Sequence, residues 1–272
     1  MDAAAYLRRI GLDDPGPPSA ASLAALQRAH VERVPYETIE IHMGRPTTVD
    51  PHEAAHRIVE HRRGGYCYHL NGAFSLLLEA LGYDVSWHKG GVQPGSEPRP
   101  VGATGNHLAL TVQGLPTDEN PEGRWLVDAG LGNGIHDPLP LIAGTYRQGP
   151  LTYALEPSAA EPGGWRFEQD PRMSWVGMDF RPGPATQEDF RDRHEWLSTS
   201  PQSPFVQWFT VQRRDEHGVD AVIGSLLHHF PDGEAIALEA QEDWLAVLHD
   251  RFGIALDAQE EDALWSRVQY SR

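Results

Sequence analysis

At 272 residues, 40% of them hydrophobic, the chain is long enough for one large domain or two to three packed lobes. A formal net charge of -17 without any local basic patch argues against nucleic acid and against anionic membranes, and points to small-molecule partners. A single cysteine excludes an internal disulfide framework and suits the cytoplasm, no apolar run approaches the length of a membrane span, and MDAAAYLRRIG lacks a signal peptide's apolar core.

Residues 1–85 read as helical. Ser22 is expected to cap a helix carrying Leu23, Leu26 and His30, which ends at Val34-Pro35. Asp50-Pro51 starts another, with Glu53 placed as in a capping box. A third runs from Cys67 to Leu81, with Phe74, Leu77, Leu78 and Leu81 on one buried face and Gly82 as its stop. From 86 to 190 the pattern changes to short strands between turns: DVSWH just ahead of the boundary, then HLALTV, RWLVDAG, LTYAL, WRFEQ and SWVGMDF, a spacing that predicts an antiparallel sheet or barrel. Residues 191–272 are mixed: FVQWFTVQRR and VDAVIGSLL read as strands, EDWLAVLHDRF and EEDALWSRV as helices.

Two motifs lie between Pro51 and Asn71. HEAAH, His52 to His56, fits the zinc-protease pattern H-E-x-x-H. Its histidines fall in the first turns after Pro51, no third ligand follows at the usual spacing, and fourteen histidines make a chance match easy, so it reads as a surface helix start and no catalytic metal is expected. RGGYCYHLN puts Cys67 behind Arg63, Gly64 and Gly65 at a helix start. A helix N-terminus and a nearby cation both stabilise a thiolate. An inert buried cysteine is the plain alternative unless a base and an orienting carboxylate accompany it. His107 at the start of one strand and Asp128 at the end of another supply that pair, although each alone has an ordinary role as an edge histidine or a turn residue before Gly130. Cysteine, histidine and aspartate in that order on helix, strand and strand point to a triad.

These segments resemble the arylamine N-acetyltransferase family. RGGYCYHLN is similar to its RGG-x-C-x-E-x-N, NHLALTV to its T-H-x-x-L-x-V, and WLVDAGLG to its V-D-V-G-F-G. YLRRIG, HVERVPYETI, STSPQSPFV and FGIAL resemble further family segments in the same order along nearly the whole chain. The resemblance implies an α+β fold in three parts: a helical domain (1–85) carrying Cys67, a β-barrel domain (86–190) carrying His107 and Asp128, and an α/β lid (191–272). It implies Cys67, His107 and Asp128 as catalytic triad, with acetyl-CoA or another acyl-CoA as donor and an aryl or related amine as acceptor. It further implies substrate-pocket roles for Tyr36, Leu131 and Phe205. The coenzyme rests on the resemblance alone, since the Gly-rich GGVQPGSEPRPVGATG lacks a strand–GxGxxG–helix setting.

Two departures bear on function. His69 stands where the family has glutamate; protonated it would oppose the helix dipole, so it is expected to be neutral. Leu131 replaces the family's phenylalanine and Tyr36 another, so the acceptor is expected to differ from a simple arylamine. The alternatives are an amide synthase or cysteine hydrolase built on the same triad, or a catalytically dead binding homologue.

Overall fold

The computed structural model describes residues 1–270. Its first helices are α1 (Ala3–Arg9) and α2 (Ala20–Arg33). Ser19, not Ser22, caps α2; Ser22 is the third helical residue and closes a capping box back onto Ser19. A two-residue strand β1 (Tyr36–Glu37) and a single turn α3 (Ile39–His42) follow, so the first part is not purely helical. Helix α4 (Pro51–Glu60) begins where expected, with Asp50 accepting from the His52 amide. Glu53 does not complete the box: its carboxylate accepts from the Thr48 amide and pairs with Arg57. Helix α5 (Cys67–Ala80) lies against α4 on one side and the following sheet on the other, which is why it is apolar nearly all round.

That sheet holds β2 (Asp84–Pro94), β3 (His107–Gln113), β4 (Trp125–Val127), β5 (Leu139–Pro140), β6 (Gly144–Gln148), β7 (Leu151–Pro157), β8 (Trp165–Glu168) and β9 (Trp175–Pro184). Every pairing is antiparallel, in the order β5-β4-β3-β2-β9-β8-β7-β6. The sheet curls toward a barrel: Leu139 at one end shares a core with Tyr153, Phe167 and Met178 at the other, although the edge strands β5 and β6 are not hydrogen-bonded to each other. Alternation along β3 sets its two faces. Leu108, Leu110 and Val112 pack with α5 residues such as Leu70 and Phe74, while Ala109 joins the inner core.

The remaining elements are α6 (Arg191–Thr199), α7 (Pro204–Gln207), β10 (Thr210–Asp215), β11 (Gly218–Ile223), β12 (Leu226–Phe230), β13 (Ile236–Ala237), α8 (Gln241–Phe252) and α9 (Ala258–Tyr270). FVQWFTVQRR is thus a helical turn followed by a strand, because Ser203 caps and Pro204 starts α7. VDAVIGSLL folds into a hairpin rather than one strand; Gly224, at φ 58°, supplies the left-handed turn residue between Ile223 and Leu226. The second sheet runs β1-β10-β11-β12-β13 and packs on Trp244, Leu248 and Leu264 of the last two helices. Since β1 is its edge, Tyr36 and Gln212 lie in register beside each other.

Candidate active site

Antiparallel pairing of β3 and β4, with Leu110 opposite Val127, brings the start of one strand and the end of the other to the same rim of the sheet. His107 and Asp128 therefore meet: His107 Nε2 lies 2.6 Å from Asp128 Oδ2, and both side chains are buried. Packing of α5 on β3 delivers Cys67 to the same place, where the imidazole also hydrogen-bonds to its sulfur. Nε2 is committed to Asp128, which leaves Nδ1 for the thiol. The sulfur lies 3.7 Å from the Asn106 carbonyl as well. Gly130 permits this approach; a Cβ there would fall 2.8 Å from the Cys67 Cα.

Burial alone would lower the affinity of His107 for a proton. The charges of Asp128 and Cys67 and the hydrogen bonds to both outweigh burial and push its pKa up to about 10. The imidazole is then a cation at neutral pH, flanked by a carboxylate and a sulfur, a setting in which a thiolate is stabilised.

Asp128 is itself held. Its Oδ1 accepts from Asn71 Nδ2 at 2.8 Å and from the Gly130 amide at 2.9 Å, and its own amide donates to Gln27 Oε1 at 3.1 Å. Sequence reasoning did not single out either side chain. Asn71 had a signal, since it stands four residues after Cys67 and so on the same helical face. Gln27, a fully buried amide on α2, had none beyond its polarity within an apolar stretch.

Arg63 does not serve the thiol. It is buried in an acidic cage, 3.1 Å from Glu40, 3.6 Å from Glu260 and 3.9 Å from Glu37. His69, also buried, accepts from the Tyr66 amide through Nδ1 at 3.3 Å and so caps the start of α5. Its pKa is held well below the usual histidine range by burial and by the Arg57 and His194 charges, which keeps it neutral. His52 and His56 are exposed on α4, with Glu53 engaged by Thr48 and Arg57 instead. Among the described residues no group of three or more histidine, cysteine, aspartate and glutamate side chains is gathered in a way that could hold a metal ion.

Cys67 and His107 open onto a cleft of about 750 Å³. Tyr36, Leu131 and Phe205 all line it, with the Tyr36 and Phe205 rings edge to face at 6.3 Å. Three indoles that the sequence reading passed over, Trp175, Trp196 and Trp208, complete its apolar walls. Its polar lining includes Asn106, Asn133, Gln212 and Arg193.

A family model described as N-acetyltransferase matches residues 19–261. The arylamine N-acetyltransferase of Mycolicibacterium smegmatis is 31% identical over 266 residues, covering 94% of this chain and 93% of that protein. The crystal structure of the Nocardia farcinica arylamine N-acetyltransferase superposes with a TM-score of 0.84 at 31% identity, over 99% of this chain and 95% of that one. The Mycobacterium marinum arylamine N-acetyltransferase in complex with CoA gives 0.86 at 28% identity, over 99% of both chains. With so much of the sequence matched, and with strands and helices in the same arrangement, the chain belongs to the arylamine N-acetyltransferase family.

Proposed function

We propose that Cys67, His107 and Asp128 act as one catalytic unit in an acyl-CoA-dependent N-acyl transfer to an aryl or related amine. The observation that carries this reading is the 2.6 Å bond from His107 to Asp128, with Cys67 and His107 together at the wall of one cleft. The relative from Mycobacterium marinum, solved with CoA, supports a coenzyme A thioester as donor.

In the first step the Cys67 sulfur attacks the thioester carbonyl and a new carbon–sulfur bond forms. The bond to the coenzyme sulfur breaks, and the departing thiolate takes the proton from the His107 imidazolium. In the second step the amine attacks the acyl-cysteine, His107 takes the amine's proton, and the Cys67 thiolate leaves. The cycle is ping-pong covalent catalysis, and Asp128 keeps the imidazole oriented and its cation stabilised throughout. On this reading the first part of the chain (1–85) brings the nucleophile, the second (86–190) the base and carboxylate, and the third (191–272) covers the cleft. The unpaired cysteine suits a reducing compartment such as the cytoplasm.

Intact-protein mass spectrometry after mixing with acetyl-CoA tests the reading. The wild type should gain one acetyl group and Cys67→Ala, still folded, none. Adding amine or water alone then separates transferase from hydrolase, and an adduct on Cys67→Ala would remove Cys67 from the mechanism. A wild type that takes no acetyl group but accepts a longer acyl chain would favour the amide-synthase reading. One that takes neither would favour a binding homologue.

A further inference from the structure

Helix α6 stands between two clefts. Arg193, Trp196 and Leu197, spaced three and four residues apart, line the Cys67 cleft. Arg191, Glu195 and Ser198 on its other side line a second cleft of about 770 Å³, closed opposite by residues 44–50. With a cleft on either side the helix has few anchors: of its nine residues, His194 and Leu197 are buried. Leu197 packs into the first core, and apolar packing has no preferred direction. His194 is the directional anchor. Its Nε2 lies 2.8 Å from the Thr47 carbonyl, and its Nδ1 is hydrogen-bonded to the Tyr66 hydroxyl. A carbonyl only accepts, so Nε2 carries the proton, Nδ1 is the acceptor and the Tyr66 hydroxyl donates. Burial holds the His194 pKa below the usual histidine range, which keeps the ring in this neutral form.

Tyr66 stands at the N-cap of α5, directly before Cys67. Its amide donates to His69 Nδ1, and its ring lies 5.0 Å from that of Phe205 on the wall of the Cys67 cleft. The Tyr66 and His194 rings are nearly parallel, 20° apart at 5.8 Å, so packing backs the bond between them. A helix that carries one wall of the cleft is thereby fastened to the residue that begins the nucleophile's helix. Resting on the proposed transfer through Cys67, we propose that His194 is a positioning residue that latches α6 to the start of α5. The latch keeps the wall formed by Trp196 and Leu197 and the Cys67 sulfur in one relative placement. A thioester must meet both at once, and near-attack geometry survives only where the walls that hold it are fixed.

The test compares the wild type with Tyr66→Phe, His194→Leu and the double variant. First-turnover release of coenzyme A from acetyl-CoA measures acylation. Alkylation by iodoacetamide, too small to need the wall, measures the Cys67 thiolate by itself. Loss of this one buried hydrogen bond should lower kcat/KM for acylation by roughly 3- to 10-fold in either single variant. Alkylation should stay at the wild-type rate, and the double variant should be no slower than the worse single one, because both changes remove the same contact. His194→Gln, which keeps a donor and an acceptor, should recover part of the loss, and it pairs with Tyr66→Phe for the same comparison should His194→Leu fail to fold. A merely structural role would lower the unfolding temperature and leave the ratio of acylation to alkylation unchanged, which overturns the assignment. It is also overturned if alkylation falls in step with acylation, or if the losses multiply in the double variant. A wild type that forms no acyl-cysteine overturns the transfer reading and this assignment with it; one whose acylation is indifferent to Tyr66→Phe and His194→Gln overturns the assignment alone.

Discussion

Asn71 donates to Asp128 Oδ1 at 2.8 Å, so the helix that begins at Cys67 also grips the carboxylate that faces His107. The same amide donates to the Leu108 carbonyl at 2.6 Å and accepts from the Ala129 amide at 2.8 Å, tying α5 to the backbone of both neighbouring strands. All three groups are buried, and removing Asn71 takes this partner from the Leu108 carbonyl and the Ala129 amide and leaves Asp128 Oδ1 with the Gly130 amide alone. We expect Asn71→Ala to cost about 1–3 kcal/mol of stability, the usual penalty for an orphaned buried polar group. Acylation should slow roughly 10- to 100-fold as Asp128 loses its orientation, a loss of about 1.4–2.7 kcal/mol of transition-state stabilisation. Thermal unfolding and single-turnover release of coenzyme A check the two parts. A destabilised variant that acylates at the wild-type rate would mean that Gly130 and Gln27 hold Asp128 unaided.

The His107 proton carries a pH signature. Its folded pKa, pushed up to about 10, lies above the ~6.5 of an unfolded histidine. A cation favoured by the fold contributes stability that is fully present below about pH 6.5 and is lost as pH rises through about 10. Unfolding temperature should therefore decline across that window, and more gently in Asp128→Asn, which removes the strongest influence raising the pKa. The same substitution should slow acylation by orders of magnitude, by analogy with triad losses of ~10⁴-fold. Parallel stability curves for the two proteins would show that the ion pair is not what titrates.

His69 bears on whether the site works at all. It is neutral and buried, and its Nδ1 supplies the acceptor that the Tyr66 amide needs at the start of α5. The helix start therefore needs an acceptor at position 69 rather than a negative charge. His69→Gln, which keeps an acceptor, is expected to acylate within a few-fold of the wild type, whereas His69→Ala should lose about 0.5–2 kcal/mol of stability as a lost cap does. The sign of the pH effect is opposite to that of His107. A histidine whose folded pKa is depressed contributes stability above about pH 6.5 and loses it as pH falls. The acid limb of the stability curve should accordingly be shallower in His69→Gln. Unfolding temperatures from pH 4 to 8 decide this, and an unchanged acid limb would assign the titration to other buried groups.

How much of this was legible in the sequence follows from where partners sit along the chain. Cys67, His107 and Asp128 stood out because each begins or follows a regular element and carries chemistry in a short, recognisable frame. Asp50-Pro51 and Gly82 marked helix ends through local backbone rules, and the ends fell there. The Ser19 cap was missed because Ser22 is an equally good local candidate until the two pair. The Gly224-Ser225 turn was missed because apolar residues continue unbroken across it. β1 could not be seen, since Tyr36 and Glu37 become a strand only by pairing with Gln212 and Val211. Likewise Arg63 read as a cation for the thiol until Glu260, almost two hundred residues on, arrived beside it. Contacts of that kind are a property of the fold, and no local pattern announces them.

We expect Leu131 to influence what kind of acceptor the cleft takes. It lines the wall alongside Tyr36 and Phe205, and Gly134 packs directly behind it, where a Cβ would lie 2.6 Å from the Leu131 Cβ. The side chain therefore has no room to retreat, and its size and shape are presented to the ligand. A leucine at this position supplies area but no ring face, and an aromatic partner is worth about 0.5–1.5 kcal/mol beyond area for a stacked ring. That corresponds to roughly a two- to tenfold effect, enough to shift preference without abolishing transfer. The wild type should be weak on simple arylamines with acetyl-CoA and better with a larger acyl donor or a more elaborated amine. Leu131→Phe should move preference toward small arylamines by about that factor while narrowing the cleft to bulkier partners. A panel of acyl donors and amines, run on both proteins, measures the shift. Competent acetylation of simple arylamines by the wild type, with no change in Leu131→Phe, would rule out position 131 as the determinant.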